Sequence, residues 1–242
     1  MTLAPPASPA AHTDKRRYVR EMFSAIAPRY DLLNHLLSLN IDRTWRRKAV
    51  ARLECEAHAP GLFLDACAGT LDLAAELANR RGFSGRVIAA DFAPAMLRLG
   101  AGKGVDGVIR PAAADTQELP FRDGAFDGAM VGFGVRNLED LDAGLRELRR
   151  VLKTGSRLVI LEFATPPSFF LRVLYHLYFR GILPLVGRII SRHPTAYAYL
   201  PASVAAFPPP RALAGRMEGA GFRDCDFRLL TGGIAAIHWG TR

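Results

Sequence analysis

The stretch Phe63–Leu73, FLDACAGTLDL, opens as a short apolar run and breaks at Ala68-Gly69-Thr70. It resumes as what reads like the first turn of a helix, with Asp72 near its start. A strand that turns tightly into a helix N-terminus offers backbone N–H groups to a ligand, and many folds grip a nucleotide this way. A dinucleotide loop, G-x-G-x-x-G, would carry more glycines than this one, which has Gly69 alone and Leu71 where a further glycine is expected.

The pattern continues on both sides of that loop. RVIAAD, ending at Asp91, reads as a second strand, and Pro94–Leu99 as a short helix with proline in its first turn. GVIRPAAAD is a weaker strand and FDGAMVGF a strong one. Leu141, Leu145, Leu148 and Leu152 follow at the spacing of a helix face, with Thr154-Gly155 expected to end that helix before the strand SRLVILEF. Buried strands separated by helices indicate a parallel sheet covered on both faces. A helix over 209–220 and two closing strands joined at Gly232-Gly233 complete the chain. The fold class expected is α/β, a doubly wound, mostly parallel sheet with a helical arm before it and a helical cap inserted into it.

A chain of 242 residues that is 50% hydrophobic can bury a full core as one domain. The expected division is a disordered tail at 1–14 and a domain at 15–242. Within the domain lie an arm (15–60), a cofactor-binding core (61–165), a cap insertion (166–207) and closing strands (208–242). Cys55, Cys67 and Cys225 have neither paired nor metal-ligand spacing, which points to reduced thiols, no metal site and a cytoplasmic setting. The net charge is +9, the excess of basic residues lies in the flanks, and no acidic residue occurs between Glu162 and Glu218. Such a surface suits nucleic acid, anionic lipid or an acidic substrate, and charge alone does not choose. The cap, SFFLRVLYHLYFRGILPLVGRII, is interrupted by Arg172, His176, Arg180 and Pro184. That argues against a spanning helix and for a cover over the sheet, with weak contact at the inner face of a membrane as its second role.

Successive strand ends carry the binding chemistry. Gly69 and Thr70 offer N–H groups and a hydroxyl. Asp91 is placed to accept ribose hydroxyls, and Asp115-Thr116 to meet an adenine edge. The plainer alternatives are a helix cap for Asp91 and a turn residue for Asp115. The single glycine modestly favours S-adenosylmethionine, which has no pyrophosphate, over a nicotinamide cofactor. Leucine in the left-handed region costs on the order of 1–2 kcal/mol. Leu71 is therefore expected in an ordinary helical or extended conformation, packed inward against the cap or the arm.

MFSAIAPRYDLLNHLLSLNIDRTWRR, ELPFRDGAFDGAMVGFGVRNLEDLDAGLRELRRVLKTGSRLVILEF, AYAYLPASVAAFP and LTGGIAAIHWG together resemble the ubiquinone/menaquinone biosynthesis C-methyltransferases across nearly the whole chain. The resemblance implies a Rossmann-like, seven-stranded class I fold and methylation of a ring carbon on a polyprenylated quinol. It places Thr70, Asp91, Asp115 and Thr116 at S-adenosylmethionine, with Gly132 near a further contact position. Two departures stand out: Leu71 replaces a usual glycine, and SRHPTAYAYL lacks an acidic residue often found before the tyrosines.

Candidates for the methyl acceptor follow the fourth strand. Arg136 and Asn137 in GFGVRN are expected to bind a phenolate or position a water, although arginine stays protonated and is a poor base. The alternative for Arg136 is a salt bridge to a nearby acid such as Asp140. Tyr30, Tyr197 and Tyr199 are expected to line the ring pocket; His176 and His193 are candidate bases of lower rank, since a lone histidine in an apolar cap is more often structural. A nucleic-acid methyltransferase would need an Asn/Asp-Pro-Pro-aromatic tetrapeptide where Gly132-Phe133-Gly134 stands, so no nucleic-acid partner is expected. A non-catalytic binding module and assembly with a second copy of the chain both stay open.

Overall fold

The computed structural model describes residues 12–54, 60–178, 181 and 196–242. Its centre is a seven-stranded sheet in the order β3-β2-β1-β4-β5-β7-β6. The strands are β1 (Leu62–Ala66), β2 (Arg86–Asp91), β3 (Ile109–Ala113), β4 (Phe126–Gly132), β5 (Leu152–Phe163), β6 (Arg223–Leu230) and β7 (Ala235–Thr241). β1 pairs in parallel with both β2 and β4, and β7 runs antiparallel between β5 and β6. The sheet is thus Rossmann-like and mostly parallel, as expected. Its strand order reverses between β1 and β4, where open α/β sheets leave a crevice beyond their carboxyl ends.

Two apolar layers flank the sheet. On one face Trp45 and Ala49 of α2 (Ile41–Ala51), Leu73 and Leu77 of α3 (Asp72–Ala78) and Leu97 of α4 (Pro94–Leu99) pack on Phe63, Val87 and Met130. On the other, Leu145 and Leu148 of α5 (Leu141–Val151) join Leu213 and Met217 of α8 (Pro210–Gly219) over Leu64, Val131 and Ile160. Burial of such side chains contributes roughly 1.5–3 kcal/mol each, which makes the sheet the rigid part of the molecule.

α5 ends at Val151, before the Thr154-Gly155 stop that the sequence implied, and β5 follows it without a loop. Leu152 already pairs with Phe126, the register slips before Gly128, and Gly155 sits at φ 83° inside the strand. Thr154-Gly155 is therefore a strand irregularity, held by the Gly155 N–H donating to the Arg242 carbonyl at 3.0 Å, and not a helix terminator.

α1 (His12–Leu37) begins inside the stretch expected as a tail and lies outside the sheet. Its Met22 and Ile26 pack with Tyr175 of α6 (Phe169–Leu177), and its Ala27 with Ala93 and Met96 beside α4. α7 (Ala196–Ala206) adds Tyr199 and Leu200 to the Tyr175 group. α1 thus passes beside the carboxyl ends of the strands. Among the described residues no helix is long and apolar enough to cross a membrane.

Candidate functional site

The cleft at the strand ends is lined by Cys67 and Gly69 after β1, Phe92 and Met96 after β2, Asp115 to Gln117 after β3, and Gly132 to Gly134, Asn137 and Leu138 after β4. Arg16 and Phe23 of α1 close its outer side. Gly69, Asp115, Thr116, Gly132 and Asn137 therefore share one wall. Thr70, Asp91 and Arg136 are buried just behind it, at 3%, 6% and 8% exposure.

The loop after β1 is shaped by unusual backbone. Cys67 has φ 54°, Gly69 φ 53° and Leu71 φ 68°, all in the left-handed region. Leu71 thus departs from the ordinary conformation expected of it, and it caps α3 without a side-chain bond. The inward packing expected of it does occur. Its side chain is 3% exposed within the core layer that contains Trp45 and Leu97. A Cβ on Gly100 would lie 2.4 Å from its Cγ, so that glycine is the space the leucine fills. Burial of a leucine offsets the cost of its backbone.

Asp91 is not the cap of α4, a position held by Ala93. Its Oδ2 accepts the Gly69 N–H and its Oδ1 the Ala93 N–H, both at 2.8 Å, so one carboxylate braces two of the loops that line the cleft. Burial pushes its pKa up, and those two N–H groups oppose the shift. Behind it, Asp65 on β1 accepts the Ala74 N–H at 2.9 Å through Oδ2, while Oδ1 is buried without a partner. Burial raises that carboxyl to about 8, so it is mostly neutral at pH 7.

Asp115 is a turn residue and more. Its Oδ1 accepts the Gln117 N–H at 2.9 Å, and its Oδ2 meets the Arg16 guanidinium of α1 at 2.8 Å. Thr116 Oγ1 lies 3.3 Å from Cys67 Sγ, and burial pushes that thiol far up, out of nucleophile range. The Thr70 hydroxyl donates to Asp31 of α1. Lys103 Nζ bridges Asp31 and Asp72 at 2.6 Å each, and Lys15 Nζ donates to the Leu138 carbonyl at 2.6 Å. Sequence reasoning missed Lys15, Arg16, Asp31 and Lys103, whose partners are distant in the chain. The only local signal was Asp31 beside Tyr30.

Beyond the cleft wall, Val135–Asn137 form a short 3-10 turn. Arg136 pairs with Glu162, not Asp140: Nη1 meets Glu162 Oε1 at 2.8 Å and also donates to the Phe133 carbonyl. Asp140 instead caps α5 by accepting the Ala143 N–H at 2.9 Å. The Arg136 Nε is buried and has no hydrogen-bond partner among the described residues. Asn137 Oδ1 accepts the Tyr199 hydroxyl at 3.1 Å, which brings a catalytic candidate and one of the expected ring-pocket residues together. Burial pushes the Tyr199 phenol up, against a lowering pull from Arg136. An aromatic group completes this end: Phe133 and Phe163 lie 4.6 Å apart, Trp45 stands edge-on to Phe163, and the Arg136 guanidinium sits 5.5 Å over the Phe163 ring. The side chains of Tyr30, His176 and Tyr197, and all of Cys55 and His193, lie outside the described set.

The cleft suits a cofactor with a ribose and an amino-bearing base but no pyrophosphate. A buried carboxylate stands at the second strand end and a half-buried one at the third. Gly132 leaves room that a Cβ, 3.2 Å from Leu73 Cδ2, would narrow. No second or third glycine opens the loop to a phosphate pair.

Comparison with known proteins agrees with this chemistry. The chain is 45% identical over 236 residues to the ubiquinone/menaquinone biosynthesis C-methyltransferase UbiE of Geobacter sp. (strain M21), covering 96% of this chain and 99% of that one. It is 49% identical over 225 residues to the demethylmenaquinone methyltransferase of Thermus thermophilus, covering 91% and 100%. Among solved structures, a SAM-dependent methyltransferase from Thermotoga maritima superposes with a TM-score of 0.65 at 19% identity, covering 91% of this chain and 98% of that one. Phosphoethanolamine N-methyltransferase 2 of Haemonchus contortus, solved in complex with S-adenosyl-L-methionine, superposes with a TM-score of 0.58 at 12% identity, covering 81% and 52%. These likenesses to solved structures bear on the fold. The model of the ubiE/COQ5 methyltransferase family matches residues 11–242, and the chain belongs to that family.

Proposed function

We propose that this chain methylates a ring carbon of a polyprenylated quinol, demethylmenaquinol or the equivalent benzoquinol, with S-adenosylmethionine as donor. Gly69, Thr70, Asp91, Asp115, Thr116 and Gly132 would hold the cofactor. Bound there, it would supply an electrophilic methyl group, its C–S electron pair returning to sulfur as a C–C bond forms to the ring and the ring proton leaves.

The protein's own part is to make the ring nucleophilic and to aim it. A neutral quinone is electron-poor, whereas a hydroquinol that loses a phenolic proton moves density onto the ortho carbon. The observation that carries the reading is the Arg136 Nε–H, buried and uncommitted next to Asn137 of the cleft wall. A buried donor without a partner is costly unless a ligand completes it. A phenolate oxygen is such a ligand, and a fixed cation in a dry site stabilises it strongly. Asn137, tied to Tyr199, orients the ring, and Tyr30 and Tyr197 are assigned to the same pocket. The proton passes to water, since arginine does not give up its own.

The test is methyl transfer from labelled S-adenosylmethionine to lipid extract of cells lacking their own quinone C-methyltransferase, with mass spectrometry of the quinones. A mass gain of one methyl on the naphthoquinone or the benzoquinone supports the reading and names the ring. Labelled product confined to RNA would overturn it.

The quinol resides in the bilayer, and α6 supports a surface role. Phe169, Phe170 and Leu177 are 78%, 69% and 65% exposed, Arg172 lies among them, and no acid is near in sequence. Weak, reversible flotation with phosphatidylglycerol vesicles, reduced by salt, is expected. Binding indifferent to salt and to anionic lipid would remove this role.

A further inference from the structure

We propose that Glu162 is the positioning residue of the transfer step, acting through Arg136. The inference rests on the reading of Arg136 as the phenolate-binding group. Glu162 stands near the end of β5, 1% exposed, in the most protected part of the acceptor end. Its Oε1 accepts from Arg136 Nη1 at 2.8 Å and from the Phe163 N–H at 2.9 Å, and its Oε2 lies 3.4 Å from the Arg136 N–H. One carboxylate therefore grips both the side chain and the backbone of Arg136.

The register of the sheet makes this grip rigid. Gly132 of β4 pairs with Leu161 of β5, so Glu162 is one residue past the last matched pair and Arg136 lies in the 3-10 turn that follows β4. Phe133, the first residue after β4, sits at φ 58°, an uncommon conformation for an aromatic residue. Its carbonyl is the second acceptor for Arg136 Nη1. Backbone strain of this kind persists where the surroundings hold it, and it clusters at functional sites. Glu162 and the Phe133 carbonyl thus anchor the guanidinium through one nitrogen and leave Nε without a partner. A buried ion pair kept only for stability has no reason to leave a donor unsatisfied, since apolar replacements of such pairs are often neutral or stabilising.

The experiment is a double-mutant cycle on the full chain with Glu162→Asp and Arg136→Leu. Aspartate keeps the charge but is one methylene too short to hold both Nη1 and the Phe163 N–H. Glu162→Asp should lower kcat by ~10–100-fold and leave the S-adenosylmethionine Kd within ~3-fold. A second readout is binding of 2-hydroxy-1,4-naphthoquinone, an acidic ring enolate followed by its absorbance, which should weaken ~5-fold or more. In the Arg136→Leu background the same substitution should change neither quantity further. Equal losses from Glu162→Asp in both backgrounds would overturn the proposal, because Glu162 would then act independently of Arg136. Full activity and enolate binding in Arg136→Leu alone would instead overturn the reading of Arg136 beneath it. If Glu162→Asp does not fold, Glu162→Gln, which keeps the volume, enters the same cycle with the same non-additivity expected.

Discussion

The end of the cleft proposed for the cofactor and the end proposed for the methyl acceptor are finished differently. At the cofactor end nearly every polar group has a partner within the chain. Asp91 holds two backbone N–H groups, Asp115 holds Arg16, and Thr70 gives its hydroxyl to Asp31. At the acceptor end the described contacts of the Arg136 guanidinium run through Nη1, and Nε is a buried donor with no partner among the described residues. A ligand entering the first end must exchange partners with α1, while one entering the second meets a donor without a partner among the described residues. On the proposed assignment, affinity at the cofactor end is a difference between two sets of contacts, and reactivity at the acceptor end is a direct gain.

The largest effect expected breaks the acceptor end alone. Arg136→Leu should lower turnover by about 100-fold or more while cofactor affinity moves less than ~3-fold, and Arg136→Lys should recover little because a point charge does not replace a planar fork. Steady-state kinetics with calorimetry checks both, and full activity of the lysine variant would reduce Arg136 to general electrostatics. Asp91→Ala strikes the opposite end. Losing the brace between Gly69 and Ala93 should weaken cofactor binding by ~1–3 kcal/mol, roughly 5- to 150-fold, in a protein that still folds. Unchanged affinity would leave Asp91 as a loop brace only.

Leu71→Gly tests whether the loop depends on its packing or on its backbone. Glycine removes strain of ~1–2 kcal/mol, but deleting a buried leucine costs ~2–5 kcal/mol, so chemical denaturation should show a net loss of a few kcal/mol at most. Cofactor affinity should move by less than about tenfold in either direction. A gain in stability would show that Gly100 can close over the vacated space.

Arg16→Ala is the subtlest and the most direct test of partner exchange. The arginine side chain is 56% exposed, so its ion pair with Asp115 is worth ~0–1 kcal/mol. Freeing Asp115 should tighten cofactor binding by up to ~5-fold. A weaker cofactor complex would mean that Arg16 joins the bound cofactor instead of competing with it.

How much of this was written locally follows from where the partners lie. The sheet and its strand ends were legible because buried runs and helix periodicity are properties of short windows, and Asp91, Asp115 and Asn137 could be read from position. The partner of Arg136 was not. Asp140 is nearer in sequence, but the pairing of β4 with β5 brings Glu162 to the guanidinium while Asp140 is spent on α5. Leu71 shows the same override in the backbone. Intrinsic preference argued against φ 68°, and a buried site beside Gly100 outweighed it. Arg16 left no local trace, since it acts on a strand end far along the chain, and Asp31 left only its place beside Tyr30.

The anchoring of α1 also bears on how the protein comes off the ribosome. Lys15 and Arg16 are synthesised early, yet their partners Asp115 and Leu138 follow about a hundred residues or more later. At translation rates of ~5–20 residues per second, the helix waits roughly 5–25 s for its docking surface. During that interval Met22 and Ile26, destined for the contact with Tyr175, have nothing to cover them. The arm that closes the cleft in the finished protein therefore spends the longest part of its synthesis with its apolar face uncovered by Tyr175.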